Sequence, residues 1–444
     1  MTARRLDPSL LPPSSALARR LRRDHAHRVP VTVEHDGEAV PAFEGEPLAM
    51  ALLAADRLVL SRSPKLHRAR GPSCLRGHCE GCLVRVDDEP NVMACRARAR
   101  GGAKVHSQNA FPTAALDVFA LTDWFFPRGI DHHHLLVGMG RAMNESMQFF
   151  ARKMAGLGTL PDEAAPVRPA RALDAEVLVV GAGASGVSAA NALCDKGFRV
   201  ALADLNPAPG GARLDDPTDD LSLPEIDARV RFLPSTAVVA TYADTTLLED
   251  ADGMIEARPR ARVFATGTHD VIGMFSQNDL PGVFTARAFA RALCHGVLLG
   301  ERIVLVGAGP WATALASVLA SVRGVRVEVV RDRTIVAAHG RSRVDEVMLA
   351  RGDARETLRC DALVVDGTRA ASYELAGQAG AKVRWDGARA CFTPVSDDDG
   401  ATDAPGVYVC GSLRAELASV HARAEDGARV ARRVGEDLAR ESAR

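Results

Sequence analysis

Long apolar runs, aromatic side chains and an excess of either charge are all scarce in this chain of 444 residues. No stretch reaches the roughly 20 apolar residues of a membrane-crossing helix. The arginine pairs of the opening MTARRLDPSLLPPSSALARRLRRDHAH are not followed by the apolar segment of a signal peptide. Lys and Arg number 55 against 56 Asp and Glu, and the arginines are scattered rather than gathered in a stripe, which excludes the electrostatic footprint of a nucleic-acid binder. The expected location is the cytoplasm, where clustered cysteines serve as metal ligands more readily than as disulfides. What remains is a chain 47% apolar, long enough for roughly two to four domains with sizeable cores.

Cysteine is sparing too, with nine in all, yet four fall in CLRGHCEGCLVRVDDEPNVMAC. Cys74, Cys79, Cys82 and Cys95 read C-x4-C-x2-C-x12-C. Structural zinc ordinarily takes two CxxC pairs, and only Cys79 and Cys82 form one. The first three ligands match the plant-type 2Fe-2S loop, and Gly77 and Gly81 stand where the backbone must turn its amides toward sulfur. The spacing therefore favours a 2Fe-2S cluster over zinc or inert thiols. The flanks fit a β-grasp frame. VPVTVEHDGEAVPAF reads as a hairpin turning at Asp36 and Gly37, EGEPLAMALLAADR as a helix, and CLVRVDDEPNVMAC as a second hairpin. In the following RARAR a strand would aim Arg96, Arg98 and Arg100 to one side, as a solvated edge, as charges that ease reduction of an anionic cluster, or as a docking patch for an acidic partner.

A second pattern starts at AEVLVVGAGASGVSAANALCDKGFRVALADLNPAPGG. An apolar strand leads into Gly181, Gly183 and Gly186, then a helix, then a strand ending at Asp204, which is the full context that makes G-x-G-x-x-G informative. Gly181 permits the tight turn, Gly183 admits a pyrophosphate, Gly186 lets helix and strand approach, and Asp204 offers acceptors to a ribose. GERIVLVGAGPWATALASVLASVRGVRVEVVRDR repeats the arrangement with Gly307, Gly309 and Ala312. There Arg331, with Asp332 next, stands where an acidic residue would read a ribose, leaving NAD(P), another nucleotide or an empty site open.

Two such units imply an α/β fold of the two-dinucleotide flavoprotein type, with two Rossmann-like domains, preceded by the β-grasp 2Fe-2S domain. RVFATGTHD, containing Gly267, resembles the strand that leaves the FAD domain of such proteins, and APGVYVCGSLRAE, with Gly411 and Ser412, resembles their second FAD strand. With AFEGEPLAMALLAADRLVLSRSPKLHRARG, SQNDLPGVFTARA, the second GAGPWA and YELAGQAGAKVRWD, nearly the whole chain resembles the α subunits of the heteromeric sarcosine oxidase family and the related opine, hydroxyproline and glycine (cyanide-forming) dehydrogenases. The resemblance implies FAD at the first glycine turn, with Gly267, Gly411 and Ser412 beside it. It also implies an electron-transfer subunit of an amine or amino-acid dehydrogenase or oxidase, in a hetero-oligomer with a second flavoprotein that oxidises the amine. Ser412 replaces the acidic residue usual at the flavin ribityl chain, and no folate-binding domain is expected at the C-terminal end.

The expected organisation is a tail at 1–29, the β-grasp domain at 30–107, a helical connector at 108–172, an FAD domain at 173–281 and 359–444, and a nucleotide domain at 282–358. No catalytic residue is assigned. His132, His133 and His134 are read as connector packing, because consecutive histidines face different ways. His269 is a loop histidine or a flavin neighbour. Cys194, Cys294, Cys360, Cys391 and Cys410 contain no CxxC pair and are read as buried, which argues against a disulfide reductase. Two other readings stand beside that of an electron-transfer component: a free-standing NAD(P)H-dependent iron-sulfur flavoprotein reductase, and a largely structural subunit with a vestigial nucleotide site.

Overall fold

Alternation and turn chemistry build the first sheet. In PVTVEH and EAVPAF every second side chain turns inward, burying Val33, His35, Val40 and Ala42. Asp36 and Gly37 between them both take positive φ, 51° and 84°, as a two-residue hairpin turn requires. The computed structural model describes the chain apart from residues 1–2, 64–65, 111, 119–120, 122–123, 125–139, 155–168, 220–223, 243, 418 and 444. The chain divides into two compact units. One comprises Met1–Glu163, Asp215–Asp220 and Ile272–Gly367; the other comprises Ala164–Leu214, Leu221–Val271 and Thr368–Arg444.

In the first unit, Pro30–His35 pairs antiparallel with Glu38–Phe43 and parallel with Lys104–Ser107. The latter pairs with Leu83–Val86, whose hairpin partner is Glu89–Met93. Helix Leu48–Ala54 sends Leu48, Met50, Leu52 and Leu53 into the core that also holds Val33, Val40 and Val84. This is the β-grasp frame read from the sequence. The same unit contains a parallel sheet of Val283–Thr285, Ala362–Val365, Arg302–Val306 and Arg326–Val330, side by side in that order. Because strand Ala362–Val365 is hydrogen-bonded into this sheet, the segment belonging with it runs to residue 367, beyond the 358 read from the sequence.

The first 29 residues are more ordered than a tail. Arg4–Arg5 pairs with Val297–Leu298, and helix Ala16–His25, capped by the Ser15 hydroxyl 3.2 Å from the Ala18 amide, buries Leu17, Ala18 and Leu21. These side chains share one continuous core with the β-grasp domain and with Phe284, Phe289 and Leu293.

The second unit is built on a five-stranded parallel sheet, ordered Arg231–Leu233, Val200–Ala203, Val177–Val180, Ala261–Phe264, Val407–Val409. The three central strands are buried on both faces, so Val177–Val180 and Val200–Ala203 read as unbroken apolar runs without alternation, while Ala261–Phe264 carries one buried charge, Arg262, whose Nε donates to the Thr246 hydroxyl at 2.9 Å. Helices Ala184–Asp195 and Val420–Ser442 pack closely, since Gly427 brings its backbone against that of Ser185. An antiparallel layer, Ala237–Thr241, Thr246–Asp250 and Gly253–Ala257, takes Arg171–Leu173 as a fourth strand. No described helix is long and apolar enough to cross a membrane.

Candidate functional site

The cysteine loop has almost no regular structure, and its backbone is directed by specific contacts. The Arg76 and His78 amides point at the Cys74 sulfur from 3.4 and 3.3 Å. Leu75 and Gly77 supply the left-handed turns, at φ 52° and 83°. A Cβ on Gly81 would overlap the Gly71 carbonyl oxygen, so only glycine lets these two strands of the loop cross. The Ser73 carbonyl accepts the Thr285 amide at 3.0 Å, fastening the loop to the parallel sheet of its own unit.

Within the loop the thiols form two pairs. Cys74 interacts with Cys79, and Cys82 with Cys95. The neighbouring thiol holds Cys79 down at about 5 and Cys95 below the ordinary thiol value, while Cys74 and Cys82 are pushed up by their partners and by burial. Cys74, Cys82 and Cys95 are buried and Cys79 is half-buried. Among the described residues no three His, Cys, Asp or Glu side chains converge as ligands of one ion. Two pairs, served by backbone amides, suit a two-iron cluster with two cysteines per iron better than a single tetrahedral zinc.

Arg76 also reaches away from the loop. Its guanidinium meets the carboxylate of Asp215, which is fully buried and accepts Arg291 Nη1 at 2.8 Å as well. Burial pushes this carboxyl up, but the combined fields of Arg76, Arg291 and Arg287 outweigh it and hold Asp215 below the usual carboxylate range. This cluster of one carboxylate and three guanidiniums escapes sequence reading.

In the second unit Gly181, at φ 105°, lies under the next strand, with the Ala265 carbonyl 2.5 Å from where a Cβ would stand. A Cβ on Gly186 would overlap the Gly181 oxygen. Gly183 caps helix Ala184–Asp195 without any side-chain acceptor, and the space beside its Cα is open. The first-turn amides thus face an open cradle of the kind an anionic diphosphate fills. Asp204 turns back onto this loop: its carboxylate accepts the Ala182 amide at 2.6 Å and the Asn206 amide at 2.7 Å. It shapes the turn.

Gly267 accepts the Ser372 amide at 3.0 Å, and His269 Nδ1 lies 3.3 Å from the Ser372 hydroxyl. Gly411 sits against Ser185 in the first turn of the 184–195 helix, and Ser412 follows it in a short 3₁₀ turn, its carbonyl accepting Arg389. The structure therefore brings Gly181, Gly183, Gly186, Asp204 and Gly411 to one helix end. Asp426, buried on the C-terminal helix, fixes Gly411 by accepting its amide at 2.6 Å, and is itself paired with Arg414 and Arg429. Sequence reading passed over it, although an acidic residue on the apolar side of that helix was the available sign.

Gly307, Gly309 and Ala312 form the corresponding turn in the first unit, where the Ala312 amide donates to Asp366 Oδ2 at 2.7 Å. Arg331 is exposed, and Asp332 pairs with Arg351 at 3.0 Å. Arg96, Arg98 and Arg100 are not on a strand. The Ala97 amide donates to the Met93 carbonyl and the Ala99 amide to the Glu46 carbonyl, so the segment is turned and the alternation is broken. Arg96 lies along Gly77, Arg98 reaches the Gly45 carbonyl and Arg100 pairs with Asp87. His132, His133 and His134 lie outside the described residues. Cys194, Cys294, Cys360, Cys391 and Cys410 are buried, as read from the sequence.

Residues 28–110 match the family described as 2Fe-2S iron-sulfur cluster binding domain, and residues 179–236 match the NAD(P)-binding Rossmann-like domain. The chain is homologous to the alpha chain of the sarcosine oxidase of Rhizobium meliloti (strain 1021), 27% identical over 450 residues covering 89% of this chain and 46% of that one. It is also homologous to an opine oxidase subunit from Agrobacterium tumefaciens (strain Ach5), 25% identical over 306 residues covering 53% of this chain and 60% of that one. The chain thus spans about half the length of these curated relatives. Among solved structures, L-proline dehydrogenase from P. horikoshii superposes with a TM-score of 0.70 over 93% of this chain and 74% of that one, at 19% identity, a likeness that shows the fold.

Proposed function

We propose that this chain is an iron-sulfur flavoprotein oxidoreductase subunit of the cytoplasm. On this reading it relays electrons within a heteromeric dehydrogenase or oxidase that acts on the CH-NH bond of an amine or amino acid of the sarcosine, opine or hydroxyproline kind. The observation that carries the reading is the open, uncapped glycine turn at Gly183 in a chain that also gathers Cys74, Cys79, Cys82 and Cys95 in one loop, three of them buried. FAD, when bound, supplies two-electron hydride chemistry and a 2Fe-2S cluster supplies one-electron transfer. The chain's own residues hold and orient. The amides at the start of the 184–195 helix take the pyrophosphate, Asp204 the ribose, and Gly411 with Ser412 the ribityl end, while Cys74, Cys79, Cys82 and Cys95 hold the two irons.

At Gly183 the open space is where a diphosphate would approach the backbone. Gly183→Val is therefore expected to yield folded protein with little or no bound flavin, read from the visible spectrum after purification. Denaturing the wild type should release FAD; release of FMN, or full flavin content in the variant, contradicts the assignment.

The partner belongs to the same proposal. The curated relatives that the chain matches are named as subunits, and on this reading the amine is oxidised by a second flavoprotein, from which the electrons pass to this chain. The isolated chain is mixed anaerobically with a panel of N-methyl amino acids, imino acids, opines and glycine, with NADH and NADPH in parallel. No amine alone should bleach its flavin. Rapid bleaching by an amine without any other protein overturns the partner, and rapid bleaching by NADH with no amine-dependent activity in reconstituted mixtures favours the free-standing reductase.

A further inference from the structure

The two glycine turns repeat one design, so each is a control for the other. In the second unit Val180 is paired with Phe264, and the next residue, Ala265, donates its amide to the Val180 carbonyl at 2.8 Å. In the first unit Val306 is paired with Val365, and the next residue, Asp366, donates its amide to the Val306 carbonyl at 2.9 Å. The carbonyls of Ala265 and Asp366 stand 2.5 and 2.6 Å from where Cβ atoms on Gly181 and Gly307 would be. Ala265 and Asp366 thus occupy the same place in the two folds, and they differ by a carboxylate.

That carboxylate lies across the turn. Asp366 Oδ2 accepts the Ala312 amide at 2.7 Å and lies 2.5 Å from where a Cβ on Gly309 would stand. Ala312 is the third residue of helix Pro310–Ala320, whose cap, Gly309, has no side chain and whose first residue, Pro310, has no N–H. Few donors are left at this helix end, and one of them is taken by the chain's own anion. At Gly183 the same region is open.

We infer that Asp366 closes the second glycine turn to dinucleotides. Its carboxylate takes the place of a ligand phosphate at the helix N-terminus: it holds the Ala312 amide, fills the approach over Gly309 and repels a second anion. Gly307, Gly309 and Ala312 then serve the packing of helix on sheet rather than a cofactor. Of the two glycine turns, the one that stays open is the flavin turn, whose equivalent residue is Ala265. An alanine at 366 should reopen the second turn.

The test is a calorimetric titration of the purified chain, with its own cofactors loaded, against NAD+, NADP+ and ADP. The wild type is expected to give no saturable binding at millimolar ligand. Asp366→Ala is expected to bind at least one of the three at least about tenfold more tightly, and adding Gly309→Val to that variant should abolish the gain. Asp366→Asn keeps the side-chain volume and removes the charge, so it should give a smaller gain and serves if the alanine variant does not fold. Flavin spectrum and melting temperature report folding in each case. Micromolar binding by the wild type that Gly309→Val removes overturns the inference. So does a folded Asp366→Ala or Asp366→Asn variant that binds no better than the wild type.

Discussion

Cys82→Ser should leave the anaerobically purified protein without its low-temperature EPR signal after dithionite reduction. Iron and acid-labile sulfide should fall from about two of each per chain to near none. The effect is large because a ligand enclosed in packed side chains is not readily replaced. Cys82 is fully buried in a core with Leu75, Val84 and Ala94, and its partner thiol is Cys95. A serine hydroxyl in this setting deprotonates far less readily than a thiol, so one iron would keep a single cysteine. Cys74→Ser, Cys79→Ser and Cys95→Ser should behave alike. Since a site that organises its own loop couples ligand binding to folding, each variant should also melt lower than the wild type. One zinc per wild-type chain in place of iron contradicts the assignment.

The second large effect is expected at Asp215. Asp215→Ala removes the carboxylate that faces Arg76, Arg287 and Arg291 inside the fold, depriving three guanidiniums of a shared counter-charge. Loss of one partner from such a buried set costs about 3–5 kcal/mol, a large share of the stability of a typical domain. Because the Arg76 amide also points at the Cys74 sulfur, cluster content should fall with stability. Adding Arg76→Met to Asp215→Ala should recover part of the loss, since it removes one of the charges that Asp215 balanced. The pH dependence has a definite sign. The folded-state value of Asp215 is depressed, so its contribution is complete above the unfolded carboxylate value of about 3.9 and is lost as pH falls through the lower folded value. Chemical denaturation at neutral pH, with iron content measured alongside, checks this. A variant within about 0.5 kcal/mol of the wild type shows that the cluster of charges contributes nothing.

What the sequence made legible was local. Cys74 to Cys95, the glycine turns and the Asp36-Gly37 hairpin are fixed by short spacings, because each depends on backbone geometry within a few residues. Three aspartates that organise these sites were not legible for the opposite reason. Asp215 meets Arg76 across 139 positions, Asp366 meets Ala312 across 54, and Asp426 meets Gly411 across 15. In the sequence each is one acidic residue among 56, and only the fold gives it a partner. RARAR failed differently. Its period is that of a strand, but hydrogen bonds to Met93 and Glu46 turn the backbone before a strand forms. The opening residues read as a tail because α-helical Ala16–His25 is mostly arginine on one side, and the leucines that anchor it are few.

The continuous core that runs from Leu17 through Leu52 and Cys82 to Phe289 has a consequence for how this protein could exchange electrons. Soluble ferredoxins are interchangeable couriers: they fold alone, diffuse, and dock with several enzymes in turn. Here the apolar side chains beneath the equivalent sheet and helix complete their packing on segments more than two hundred residues away in the same polypeptide, so that excising the module would expose them to water. A cluster held by Cys74, Cys79, Cys82 and Cys95 would therefore be tied through that core to the rest of its own chain, and could not be passed from one enzyme to another.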